Sequence, residues 1–139
     1  MNAEASLPVI HKVAWTPIRD RKILFARSRG QTLFFSVGGK PNPGEPNEAA
    51  LIREVEEETS VLLFPDTIKL ANTFRGPSGG AYEGKATLRM DCYFAEFLGM
   101  VEPRSEIEEL KWLSLNDFRL TTPLGHIMLL WYARCDYID

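Results

Sequence analysis

The succession of elements in this sequence predicts an α/β fold in which a mixed β-sheet lies between helices. Three observations carry that expectation. Apolar runs of strand length recur along the chain. A glycine- and proline-rich loop leads from one of them straight into an acidic, amphipathic helix. A second helix with its own start signal closes the chain.

Residues 9–17 read as the first strand, ended by Pro17, and 22–28 as the second, after the turn Arg19-Asp20-Arg21. Residues 33–37 form a short third strand. The loop Gly38-Gly39-Lys40-Pro41-Asn42-Pro43-Gly44-Glu45 is rich in residues that fix or free the backbone. Residues 47–60 then form the acidic helix, with Asn47 as N-cap and Glu48 in the first turn. Residues 67–75 and 85–98 read as the strands of a hairpin with an extended loop. A short strand over 110–115 follows. The last helix starts with Thr122 as N-cap and Pro123 at the first helical position, and runs to about residue 137. No repeat, low-complexity segment or linker interrupts the chain, so residues 1–139 read as one domain.

The acidic helix holds the most chemistry. At about 100° per residue, Ala49, Leu51, Ile52, Val55 and Thr59 fall on a core-facing arc. Glu54, Glu57 and Glu58 fall on the adjoining arc at i,i+3 and i,i+4 spacing, and Glu56 points elsewhere. Like charges that close repel one another, so the patch is either a solvated face or a site for a cation. Three carboxylates make a hard oxygen-donor set of the kind Mg²⁺ and Mn²⁺ prefer. The preceding glycines let backbone amides approach an anion closely, and Glu45 is within reach of Arg53.

Gly39, Glu45, Arg53, Glu54, Val55, Glu57, Glu58 and Val61 have the spacing of a known signature: Gly, five residues, Glu, seven residues, Arg-Glu-hydrophobic, one residue, Glu-Glu, one residue, Gly, hydrophobic. The stretch 39–61 resembles the Nudix box. It departs at Ser60, where that family usually has the glycine that ends the helix. The resemblance implies an αβα sandwich and hydrolysis of a nucleoside diphosphate linked to another moiety. The substrate would be a nucleoside triphosphate, ADP-ribose or a nucleotide sugar. It also implies Mg²⁺, with Mn²⁺ as the alternative ion, held by Glu54, Glu57 and Glu58. Glu54 is either a third ligand or the general base, and Arg53 organises the loop. The cation would act as Lewis acid and template and would acidify a bound water. A non-catalytic Nudix module that senses a nucleotide is the alternative reading.

Such families often draw a further acidic residue from outside the box. Glu106, Glu108 and Glu109 stand in the right region, with Glu108 the choice among them and Glu83 and Glu102 further candidates. Gly39, Lys40 and Arg27 are the other expected substrate contacts. Phe34, Phe35, Phe74, Tyr82 and Trp112 are the aromatic side chains available to line a base slot, and Tyr82 sits in a glycine-flanked loop suited to closing over a ligand.

Composition limits the partners. Of 139 residues, 45% are hydrophobic and 25% charged, the balance of a folded globular chain, and the net charge of −3 gives no case for a nucleic-acid polymer. The expected partner is a small nucleotide, and a homodimer is compatible with the resemblance. No apolar run reaches membrane-spanning length. Cys92 and Cys135 lie in apolar surroundings without metal-motif spacing, and the N-terminus shows no signal-peptide pattern, so a cytoplasmic protein with reduced thiols is expected.

Overall fold

The computed structural model describes residues 7–79 and 83–139. Its strands are β1 (Val9–Trp15), β2 (Ile18–Arg19), β3 (Lys22–Ser28), β4 (Phe35–Gly39), β5 (Leu62–Leu63), β6 (Lys69–Pro77), β7 (Thr87–Phe94), β8 (Phe97–Leu98) and β9 (Ile107–Leu113). Its helices are α1 (Asn47–Thr59) and α2 (Pro123–Arg134). The main sheet has the order β2-β3-β4-β1-β7-β6, with β9 added against β3. β1 and β7 run parallel and the other pairs antiparallel, so the sheet is mixed as expected.

Helices cover both faces, which explains the apolar runs. In β3, Leu24 and Ala26 join Val13, Trp15, Val37, Leu51 and Val55 in a core beneath α1. Ile23 and Phe25 point the other way, into a core with Ala14, Met90, Leu124, Met128 and Tyr132 beneath α2. A strand buried on both sides has no polar face to alternate with.

Several boundaries differ from the sequence reading. The expected strand over 85–98 is β7 and β8, separated by a bend, and β8 leaves the main sheet to pair with β5. β9 begins at Ile107, three residues before the expected 110. α2 ends at Arg134, and Tyr137 folds back beside Trp131 at a ring separation of 6.1 Å. Pro46 is the backbone N-cap of α1. Asn47 is its first residue, and its amide donates to Asp91 at 3.1 Å and to the Tyr93 hydroxyl at 3.0 Å. The helix buries Ala50 and leaves Ala49 exposed. Among the described residues, no helix is long and apolar enough to cross a membrane.

Candidate active site

Three pieces of backbone meet at the site: the end of β4, helix α1, and the loop entering β9. Each is fixed by a specific interaction. Gly38 has φ 151°, and a Cβ there would collide with the Val13 carbonyl oxygen, so β4 lies against β1 as only glycine allows. The Gly38 N–H donates to Glu58 Oε1 at 2.9 Å, tying the strand end to the helix.

α1 ends at Ser60, which holds φ 74° and donates its N–H to the Glu56 carbonyl. Serine thus adopts the left-handed conformation for which glycine is the usual residue. The last helical carbonyls need partners from outside the helix. Glu102 and Arg104 supply them, with backbone N–H groups donating to Thr59 O at 2.9 Å and Glu58 O at 3.0 Å. That docking carries the next residues of the loop, Ser105 and Glu106, beneath Glu58.

Arg53 fastens the loop between β4 and α1. Its guanidinium donates to both Glu45 oxygens, Nε to Oε2 at 3.0 Å and Nη2 to Oε1 at 2.8 Å. It also donates to Glu54 Oε1 at 2.9 Å and to the Lys40 carbonyl at 3.3 Å. Glu45 caps the Asn42 N–H in turn, at 2.9 Å. The Arg53 hydrogen bonds, with that backbone bond, hold the Glu45 carboxyl down to about 2.

Glu54, Glu58 and Glu106 line one cavity of about 450 Å³, together with Gly38, Gly39 and Lys40. Burial pushes the Glu58 carboxyl up to about 8, aided by the charges of Glu106 and Glu54 and opposed by the Gly38 hydrogen bond. Glu106 is held low, first by a hydrogen bond from Ser105 and also by one from Glu58. Of the two, Glu58 is therefore the one that keeps its proton to higher pH. Burial also raises Glu54, against the pull of Arg53.

The expected residues do not all gather here. Glu57 is 53% exposed and turns back along the helix to Arg53 Nη1 at 3.5 Å. Glu108 lies on β9, about half exposed and 3.6 Å from Arg27, outside the cavity. Glu106 takes the place the sequence reading gave to Glu108, because β9 starts at Ile107 and Glu106 is the last loop residue. Arg27 is engaged by Glu109 at 3.2 Å and by the Gln31 carbonyl at 3.0 Å. Glu102 pairs with Arg104 on the surface.

The acidic cavity opens into a cleft of about 610 Å³ that shares Lys12, Phe35, Gly38, Gly39 and Leu88 with it. Its far end is mostly apolar, with Leu33, Met90, Pro123 and Leu124 beside the polar Gln31, Thr32, Ser36 and Thr122, and it is also lined by Glu83. Of the aromatic candidates, Phe35 lines this cleft. Phe34 is buried below the Arg27 guanidinium, Phe74 packs on Trp131, and Trp112 lies under Arg19. Tyr82 lies outside the described residues. Lys12 is a cleft residue that the sequence reading passed over. Its signal is a charge in the alternation Ile10, Lys12, Ala14, on a sheet face that otherwise carries no charge along β1.

The donor chemistry suits a divalent cation: Glu54, Glu58 and Glu106 offer only carboxylate oxygens. Among the described residues no three acidic, histidine or cysteine side chains already form a metal cage. Glu54 is instead held by Arg53 and Glu58 by the Gly38 N–H.

The sequence matches the NUDIX domain family over residues 10–135. The chain belongs to the Nudix family. Its reaction class is therefore hydrolysis of a pyrophosphate bond in a nucleoside derivative, in a family that generally uses divalent cations. Comparison with curated protein sequences gives no match. Solved structures give many. One is the solution structure of the E. coli ORF135 protein, with a TM-score of 0.74 and 23% identity, covering 95% of this chain and 94% of that one. A MutT Nudix hydrolase from Burkholderia pseudomallei has a TM-score of 0.69 and 24% identity over 88% and 94% of the two chains. A Nudix hydrolase from Nitrosomonas europaea has a TM-score of 0.71 and 20% identity over 94% and 91%. At these identities the likeness shows the shared fold.

Gly39 supplies a first test. A Cβ built there would stand 2.5 and 2.7 Å from the Glu54 carboxylate oxygens, closer than atoms pack. Gly39→Ala is expected to displace Glu54 from Arg53 and lower kcat/KM at least tenfold, on the order of the loss from a misplaced catalytic group. The melting temperature should change little, because the displaced atoms are a side-chain end. Full activity in Gly39→Ala would mean that the Glu54 position is immaterial.

Proposed function

We propose that this Nudix chain is a cytoplasmic, divalent-cation-dependent hydrolase. It would cleave a pyrophosphate bond in a compound of mononucleotide size, such as a nucleoside triphosphate, ADP-ribose or a nucleotide sugar. The observation that carries the reading is one continuous cleft with carboxylates at one end and apolar side chains at the other. The apolar end fits a base, and the cleft volume is that of a small-ligand site. Cys92 and Cys135 are both free thiols, in keeping with a reducing compartment.

Glu54, Glu58 and Glu106 would hold Mg²⁺ or Mn²⁺, with Glu57 joining them if its exposed side chain rotates inward. The bound cation would supply charge neutralisation for the phosphates and a more acidic water. The protein's own part is positional. Arg53 keeps Glu54 aimed over Gly39 while holding the loop closed through Glu45. Glu58 has Oε1 engaged by the Gly38 N–H, which leaves Oε2 to carry and exchange a proton. A carboxyl with its affinity near neutrality is suited to general acid–base work. Glu106, ionised beside it, is the natural acceptor of that proton.

The test is a panel of nucleoside triphosphates, ADP-ribose and UDP-glucose incubated with MgCl₂ or MnCl₂, with products separated by chromatography. Release of a nucleoside monophosphate is expected, together with its loss in Glu54→Gln. Tight nucleotide binding with no turnover would instead support the sensor module. Neither binding nor turnover across the panel would overturn both readings.

A further inference from the structure

Lys12 stands where a core residue would be expected. On β1 it lies between Ile10 and Ala14 on the sheet face whose deeper part is the core beneath α2, and across the parallel pair it stands opposite Met90. It is half-buried. Among the described residues its side chain has neither an ion pair nor a hydrogen bond. A lysine whose stem lies along apolar side chains holds its ammonium in the open cavity, available to an anion that enters it. The carboxylates of the same cavity do not pair with it: Glu54 is engaged by Arg53 and Glu58 by the Gly38 N–H, and among the described residues no ion pair joins either to Lys12.

Its location shows what it can meet. Lys12 lines both the acidic cavity and the apolar cleft, so it marks their junction. Among the described lining residues, the other cation is Lys40, confined to the acidic end. A nucleotide with its base in the apolar segment and its diphosphate at the carboxylates would bring the phosphoryl group next to the nucleoside to this junction. We propose that Lys12 is a substrate-binding residue that pairs with that phosphoryl group and so fixes how far the substrate slides along the cleft. The inference rests on the pyrophosphate-cleaving reading above and adds a specific anion contact to it. A compact ammonium on a flexible stem suits a single phosphoryl oxygen, where a forked guanidinium would demand a planar pair.

Calorimetry in MgCl₂ separates the contact from other roles. The probes are AMP, CMP, GMP and UMP, the four matching nucleosides, and inorganic pyrophosphate, measured with wild type, Lys12→Met and Lys12→Arg. Lys12→Met is expected to weaken binding of the preferred monophosphate and of pyrophosphate at least about tenfold, the usual weight of a charge-assisted hydrogen bond. The matching nucleoside should change less than about twofold, and Lys12→Arg should recover most of the anion affinity. Lys12→Met should melt no lower than wild type, because it removes an unpaired charge from an apolar face. Should it fail to fold, Lys12→Gln carries the same comparison. Equal weakening of nucleoside and monophosphate, or no weakening of either, overturns the inference. If wild type binds pyrophosphate but no nucleotide, a Lys12-dependent loss upholds the anion contact while the nucleoside reading fails. If wild type binds none of the probes, the inference is overturned.

Discussion

Glu58→Gln is expected to cut turnover by a factor of about 10² or more while making the metal-free protein more stable above neutral pH. The two effects share a cause. Glu58 is 3% exposed, and burial raises its carboxyl from the ordinary 4.5 to about 8. A raised acid is one whose proton the fold retains. Below pH 4.5 both folded and unfolded chains hold that proton and nothing is lost. Between 4.5 and 8 the unfolded chain releases it and the folded chain does not, so stability falls as pH rises through that window. Above it the loss levels off at an amount on the order of a few kcal/mol. Glutamine cannot ionise and still offers an Oε1 to the Gly38 N–H, so the variant should lack the decline. Thermal unfolding from pH 4 to 9 in EDTA checks this, with wild type and variant converging at the acid end and separating at the alkaline end. On the proposed function, MgCl₂ should narrow the gap, because a cation stabilises the carboxylate that burial disfavours. Parallel curves at every pH would show that Glu58 is not the titrating group, and unchanged turnover would remove it from the chemistry.

That prediction also shows where the sequence was informative. Periodicity places Glu54 and Glu58 one turn apart, and both line the cavity. It places Glu57 on the same arc, yet the side chain rotates outward to Arg53, because a long side chain chooses among rotamers that helical spacing does not distinguish. Ser60 stands in a glycine position, which left open whether the helix would end in the left-handed conformation; the structure shows that it does. The N-cap was not legible. Asn47 has the right chemistry to cap the helix, but its amide instead donates to Asp91, a residue 44 positions away. Burial would raise Asp91, and hydrogen bonds from Thr73 and His11 outweigh it to hold the carboxylate ionised. A local propensity lost to a long-range partner. Glu108 was preferred to Glu106, which the same stretch also offered, for a related reason. The docking of Glu102 and Arg104 on the helix end fixes which acidic residue reaches the cavity, and no pattern within 106–109 records that docking.

Arg53→Ala is expected to damage folding and catalysis together, and its pH signature should differ in sign from that of Glu58. The guanidinium makes a two-bond fork with Glu45, a bond to Glu54 and a bond to the Lys40 carbonyl. Its removal leaves two largely shielded carboxylates, 17% and 16% exposed, without their cation, and frees the loop that carries Gly39. A loss of about 10² in kcat/KM follows from misplacement of Glu54 alone. Glu45 is a depressed acid, held at about 2 against the ordinary 4.5. Its contribution to stability is complete above pH 4.5 and is lost as pH falls toward 2, because there the unfolded chain takes up a proton that the folded chain refuses. Wild type should therefore lose stability through that acid window, and Arg53→Ala should show a flatter profile from a lower starting point. Arg53→Lys separates charge from geometry. An ammonium preserves the positive charge but cannot make the fork and reach Glu54 and the Lys40 carbonyl as well, so it should restore part of the acid-range stability and little of the turnover. If Arg53→Lys matched wild type in both, a point charge would suffice and the forked geometry would have no role in positioning the site.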